Sequence, residues 1–350
     1  MISVATPQHM RASVLTAPKT VELQEVPVPA LGPRDVLIRI DAVGVCGSDT
    51  HFYEEGHVGD LVVEGPVILG HEAAGEIVQV GAEVPQSRIG TRVAIEPQTP
   101  CRRCEYCKGG EYHLCRDVKF YGAYPVDGAF SEYAVIEDDF AHAVPSTMTA
   151  EQAALLEPVS VAVHACRKAE ITVASRVLIT GAGPIGIFNA QVARAFGATE
   201  IVVSDPLEHR RKFAATHGAT STIDPITTDF AQFTEHFDVY IDASGNARAI
   251  NDAIQTVKPS GHVVLVGMGN DRIELPIAVI QHHELKLTGT FRYANTWPAA
   301  IALVVSGAVD VDSLITGRFG LDQVGEALMM AKTDPKAIKS VVIPANTPQA

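Results

Sequence analysis

Four of the six cysteines in this 350-residue chain fall between positions 101 and 115. Cys101, Cys104 and Cys107 follow one another with two residues between them, and Cys115 stands eight positions further on. Thiolates at these intervals can close a tetrahedral shell on one loop. A shell filled by four protein ligands leaves no position for a substrate, so the ion it implies is a structural zinc, contributing on the order of 10 kcal/mol to local order. Iron–sulfur proteins also use Cys-x2-Cys-x2-Cys spacing, but with a different onward context.

Two further stretches carry metal-type donors. Gly70-His71-Glu72 closes a short apolar run and precedes a strand-like one. A neutral imidazole and a carboxylate both serve zinc, as ligands or as partners of ligands, although most such neighbours are accidents of sequence. Cys46, in Gly44-Val45-Cys46-Gly47-Ser48-Asp49-Thr50-His51, offers the soft thiolate that zinc favours. Ser48 and His51 share one turn of a possible helix and could pass a proton from a buried site to water. A buried free Cys46 with Ser48 as a helix cap accounts for the same residues locally.

Gly181-Ala182-Gly183-Pro184-Ile185-Gly186 follows the buried-strand pattern Arg176–Thr180 and opens a helical stretch, Ile187 to Phe196. A second strand, Glu200–Ser204, ends at Asp205, nineteen positions past Gly186. This context makes a dinucleotide site of an otherwise weak motif. Gly181 permits the tight turn, Gly183 lets a pyrophosphate approach the helix N-terminus, and Gly186 lets the helix pack on the strand. Asp205 is expected to accept hydrogen bonds from ribose hydroxyls and repel a 2′-phosphate, favouring NAD over NADP. Arg210 and Arg211 pull the other way, because a cation there could hold a phosphate.

These residues need elements to position them. A chain of this length is expected to form two domains. Hydrophobic content of 47% and charged content of 19% are those of a globular protein. A net charge of -14 speaks against a nucleic-acid surface. Met1-Ile2-Ser3-Val4-Ala5-Thr6-Pro7 lacks the basic start and apolar core of a signal peptide, and no apolar run is long enough to span a bilayer. Clustered cysteines without an export signal suggest metal rather than disulfides, and a cytoplasmic chain. Residues up to about 96 read as short β-rich runs punctuated by Gly and Pro, a small barrel-like domain. From Arg176 onward strands alternate with helices, including Phe237–Asp242 and Gly261–Val266, as in a doubly wound parallel sheet. Ala150 to Arg167 has helical spacing that Glu157-Pro158 is expected to interrupt; a buried Glu157 would need a partner such as a metal or its bound water, and locally a helix boundary with Glu157 exposed is the safer reading. In Thr288–Pro298, Arg292 and Tyr293 can donate hydrogen bonds to hydroxyl groups; an interdomain surface loop packed by aromatics is the alternative.

Cys46-Gly47-Ser48-Asp49, Gly70-His71-Glu72 and the four-cysteine lobe, in this order and separation, resemble the zinc-dependent medium-chain alcohol and polyol dehydrogenases. The resemblance runs through almost the whole chain and implies an α/β architecture, with a Rossmann domain over 159–291 and a GroES-like β-rich catalytic domain over 1–158 and 292–350. It implies a catalytic zinc at Cys46 and His71 with Glu72 or Glu157, either glutamate binding directly or through water. Ethanol-type relatives carry cysteine at the position of Glu157, and sorbitol- and xylitol-type relatives carry glutamate. The resemblance places Arg210 at the adenosine end of NAD, Val266, Gly267 and Met268 along the nicotinamide half, and Thr290 and Phe291 against the cofactor. Arg292 and Tyr293 match residues that touch substrate, as does Phe52, where the family carries tyrosine. The implied reaction is oxidation of a secondary hydroxyl of a polyol such as sorbitol, xylitol or galactitol to the ketose, with NAD and two zinc ions per chain, in a homotetramer. A zinc dehydrogenase for simple secondary alcohols, diols or threonine is the alternative.

Overall fold

The computed structural model describes residues 7–270 and 272–348. Met1–Thr6, on which the signal-peptide expectation rests, lie outside the described residues. The chain divides into two compact units. One takes the residues up to Glu157 and those from Val311 on; the other is Pro158–Asp310. The return to the first unit thus falls after Asp310, later than position 292.

The first unit is built on a seven-stranded sheet. Its centre is the strand Asp35–Gly44, which pairs antiparallel with Glu72–Val80, Tyr133–Glu137 and Lys339–Val342. A three-stranded sheet joins Thr20–Pro27, His9–Ala17 and Val67–Ile68. Period-two alternation sends Val36, Ile38 and Ile40 into one core with Leu69, Ile77, Ile95 and Phe130. Each such side chain stabilises the unit by about 1.5–3 kcal/mol.

The second unit carries six parallel strands in the order Ser221–Ile223, Glu200–Ser204, Arg176–Thr180, Phe237–Asp242, Val257–Leu265, Lys286–Gly289. Numbered along the unit, that order is 3-2-1-4-5-6, the doubly wound Rossmann arrangement. Val177, Leu178 and Ile179 are buried, as a strand covered on both faces requires.

The Glu157-Pro158 expectation needs correction. The break between the helices Ala150–Ala154 and Leu156–Lys168 falls at Leu155, and Glu157 and Pro158 lie in the first turn of the second helix. A first turn has no internal use for the proline N–H, so Pro158 is tolerated there. Glu157 is buried, which overturns the local reading of an exposed boundary and agrees with the one that the resemblance implies. Among the described residues, no helix is long and apolar enough to cross a membrane.

Candidate metal and dinucleotide sites

Strand pairing assembles the first site. Gly44 pairs with Glu72 on one side and with Val341 on the other. The chain turns out of the sheet at Cys46, just past this point, and enters the helix Gly47–Glu55. Cys46, His71 and Glu72 therefore meet at converging strand ends, and their donor atoms lie within 4.8 Å of one another. Gly44 leaves room for this carboxylate: a Cβ there would displace Oε2 of Glu72.

Glu72 is buried, and Oε2 has no hydrogen-bond partner. Such an orphan costs several kcal/mol unless something positive meets it. Its other oxygen, Oε1, accepts from Lys339 Nζ at 2.6 Å, and the same ammonium donates to the Val45 carbonyl at 2.7 Å. Burial lowers the affinity of Lys339 for its proton, but Glu72 and Cys46 outweigh it, and the net shift is upward. Glu157 acts on Lys339 in the same direction. A thiolate, an imidazole and a carboxylate with an unmatched oxygen are a donor set that fits zinc, and three donors leave a fourth position open.

Asp49, a residue given no role from sequence, organises the other side. Its carboxylate is fully buried. Oδ2 accepts from the Cys46 N–H at 2.9 Å, and Oδ1 accepts from the Gly70 N–H at 3.2 Å. Oδ1 also stands 3.4 Å from His71 Nδ1. The carboxylate thereby orients the ring through one nitrogen. Burial pushes the His71 imidazole down, yet Asp49 and Cys46 outweigh it and raise its pKa well above the usual histidine range.

Ser48 and His51 both sit on the helix Gly47–Glu55. His51 Nδ1 lies 3.4 Å from Glu55 Oε1, one turn on. Phe52, on the same helix, packs in the core of the first unit. Glu157 stands outside the close group formed by Cys46, His71 and Glu72.

The sulfurs of Cys101, Cys104, Cys107 and Cys115 also lie within 4.8 Å of one another. Cys104 and Cys107 are 3.4 Å apart and Cys101 and Cys107 3.9 Å. Four sulfurs bound ~2.3 Å from one ion stand roughly 3.8 Å apart, so the cluster fits tetrahedral zinc. The lobe is tied down by residues that its spacing does not reveal. Arg102 pairs with Asp139 at 2.6 Å and with Glu137, and lies over the Phe140 ring. Tyr112 donates to Glu96 Oε1 at 2.8 Å, while His142 meets Glu96 Oε2 at 2.7 Å.

In the second unit, Gly181 takes φ +91° at the end of the first parallel strand. Gly183 caps the helix Pro184–Ala195 with Pro184 in its first turn, and no atom lies within 4 Å of where its Cβ would be. Ile185 and Gly186 continue that helix, and a Cβ on Gly186 would overlap the Gly181 carbonyl. A cavity of about 430 Å³ opens beside them, lined among others by Gly181, Gly183, Asp205, Arg210 and Ile226. Open space at Gly183, facing a helix N-terminus, fits a pyrophosphate. Asp205 is buried, with Oδ1 accepting from the Leu207 N–H and Oδ2 from the Ala182 N–H, each at 2.8 Å. Each oxygen keeps a second lone pair for a ribose hydroxyl.

Val266 and Gly267 donate from their backbone to the Asp242 carbonyl, and Met268 is half exposed. The Thr290 N–H donates to the Leu265 carbonyl at 2.9 Å. Arg292 has φ +55°, and its guanidinium lies 4.5 Å from the centre of the Phe291 ring. Tyr293 is fully buried and meets Trp297 edge to face, with ring centres 6.1 Å apart. A left-handed arginine is strained by about 1–3 kcal/mol, and such strain gathers at working segments.

Comparison with known proteins agrees with this geometry. Residues 32–146 match the alcohol dehydrogenase GroES-like domain, and residues 184–306 match the zinc-binding dehydrogenase family. The chain is 40% identical to a sorbitol dehydrogenase of Bacillus subtilis over 93% of its own length and 94% of the relative's. It is 38% identical to a probable D-xylulose reductase A of Aspergillus fumigatus, over 97% and 98%. A crystal structure of an Escherichia coli alcohol dehydrogenase complexed with NADH superposes with a TM-score of 0.90 at 28% identity, covering 96% of this chain and all of that one. The four-sulfur lobe, the Cys46-His71-Glu72 corner and the six-stranded parallel sheet are thus features of one family: the chain belongs to the zinc-containing medium-chain dehydrogenases.

Proposed function

We propose that this dehydrogenase oxidises a secondary hydroxyl of a polyol to the ketose, with NAD as hydride acceptor. The observation that carries the reading is the buried, unpartnered Oε2 of Glu72 beside Cys46 and His71. The polyol class is supported by the relatives named for sorbitol, a polyol, and for D-xylulose, a ketose, and by Glu157 and Arg292, whose guanidinium can donate to hydroxyls.

When bound, zinc supplies polarisation of a hydroxyl oxygen, lowering the pKa of such an oxygen acid toward about 7, and oxidised nicotinamide supplies the hydride acceptor. The chain's own residues do the rest. Cys46, His71 and Glu72 would hold the cation, with Glu157 the further candidate, directly or through water. Asp49 fixes the His71 ring, and Lys339 offsets one negative charge of the donor set. Ser48 and His51 take the hydroxyl proton outward. Gly183 and its helix N-terminus seat the pyrophosphate, and Asp205 takes the ribose hydroxyls. The Cys101, Cys104, Cys107 and Cys115 lobe would hold a second, structural ion.

Phe52 favours a second reading, a short diol, because it brings no hydroxyl to where the family's tyrosine stands. A panel of sorbitol, xylitol, galactitol, 2,3-butanediol, 2-propanol and threonine, run with zinc and with NAD or NADP, tests both. NADH appears with polyols if the first reading holds. Turnover of threonine or 2-propanol alone overturns it.

A further inference from the structure

Two adjacent arginines, Arg210 and Arg211, stand in the first half of the helix Glu208–Thr216, close to Asp205. A free guanidinium beside an adenosine ribose is a ready partner for a 2′-phosphate, through paired charge-assisted hydrogen bonds. Asp205 and the two arginines therefore send opposite signals about the cofactor. The structure separates the arginines. Arg210 lines the cavity. Arg211 is mostly buried and committed elsewhere: Nη1 donates to the Asp205 carbonyl at 2.7 Å, and Nη2 lies 3.2 Å from Asp224 Oδ2.

The two partners of Arg211 are neighbours at the end of the sheet. Ser204 pairs with Ile223 across parallel strands, and Asp205 and Asp224 follow them. Asp224 Oδ1 accepts from the Ile226 N–H at 2.9 Å, and Ile226 lines the same cavity as Asp205. Arg211 thus fastens the turn that carries the Asp205 carboxylate to the turn that carries Ile226, two walls of one pocket.

We infer that Arg211 is a positioning residue for cofactor selectivity. By bridging the Asp205 carbonyl and Asp224, it holds the Asp205 carboxylate for ribose hydroxyls and withholds its own charge from a 2′-phosphate. Asp224 is the counterweight: without its charge, the guanidinium is released toward the pocket. The inference rests on the NAD reading above and adds the residues that enforce it.

The test measures Kd for NADH and NADPH by nicotinamide fluorescence, at fixed ionic strength, on the zinc-loaded wild type and on Asp224→Asn, Arg211→Gln and Arg211→Lys. Wild type binds NADH more tightly. Asp224→Asn shifts the NADPH-to-NADH preference about tenfold toward NADPH, the size expected when one charge-assisted contact changes partner. Arg211→Gln weakens NADH about tenfold without gaining NADPH, and Arg211→Lys recovers part of the loss. A preference in Asp224→Asn within twofold of wild type, with NADH binding and melting temperature retained, overturns the inference alone. Wild type that binds neither dinucleotide overturns the cofactor reading and this inference with it.

Discussion

Lys339 Nζ donates to Oε1 of Glu72 at 2.6 Å, across 267 residues of sequence and with both side chains buried. The pair leaves Oε2 as the one oxygen of that carboxylate that can meet a cation. Removing the ammonium strands a buried charge, which costs about 3–5 kcal/mol. Lys339→Met is therefore expected to lose stability in urea unfolding, and to lose less when zinc is present, because the ion then offsets part of the charge on Glu72. An equal loss with and without zinc would detach Glu72 from the metal.

The Asp49 carboxylate joins Cys46, Gly70 and His71 in one buried cluster. Asp49→Asn keeps the shape and removes the charge that holds the imidazole in place. Zinc affinity at this site is expected to fall about 10–100-fold. Competition against a chelator of known affinity measures it, and an unchanged constant contradicts the positioning role.

Metal capture by the cysteine lobe has a pH dependence whose sign follows from its thiols. Burial, then contacts with Cys104 and Cys115, push the Cys107 thiol up to about 12, whereas backbone N–H groups of Arg103 and Cys104 hold Cys101 down to about 6. At neutral pH the metal-free lobe keeps the Cys107 proton, which an incoming ion must displace. Affinity therefore rises with pH, by about tenfold per unit for each proton released. Zinc titrations at pH 6, 7 and 8 with an indicator dye check the slope; a flat profile would speak against four thiolate ligands.

Replacing Asp205 by Ser keeps a hydrogen-bonding group and removes the negative charge. KM for NAD is expected to rise and discrimination against NADP to relax, with kcat at saturating NAD little changed. Steady-state kinetics with both cofactors decide this, and unaltered constants would place the adenosine end elsewhere.

Much of this architecture can be read locally. The lobe spacing and the strand–glycine–helix run each lie within a few dozen residues, and the structure places them as their spacing requires. The structure moves the expected Glu157-Pro158 boundary to Leu155, because proline ends a helix from within but is welcome in a first turn. Lys339 was invisible, since its role depends on the pairing of Val341 with Gly44, a relation between distant strands. The one available hint was a lysine in the mostly apolar run Ala337–Ile343, where a charge must find a partner. Asp49 lay in plain sight inside the Cys46 motif, but an aspartate near a helix start reads as an ordinary cap. Arg210 and Arg211 are indistinguishable by type and differ only in which way the helix turns them.

The long separation between Lys339 and Glu72 also bears on biosynthesis. At about 5–20 residues per second, a ribosome delivers Lys339 on the order of tens of seconds after Glu72. Throughout that interval the nascent polypeptide displays Cys46, His71 and Glu72 without their neutralising ammonium. The corner is then more anionic than in the finished enzyme, and most attractive to any passing divalent ion, the right one or the wrong one.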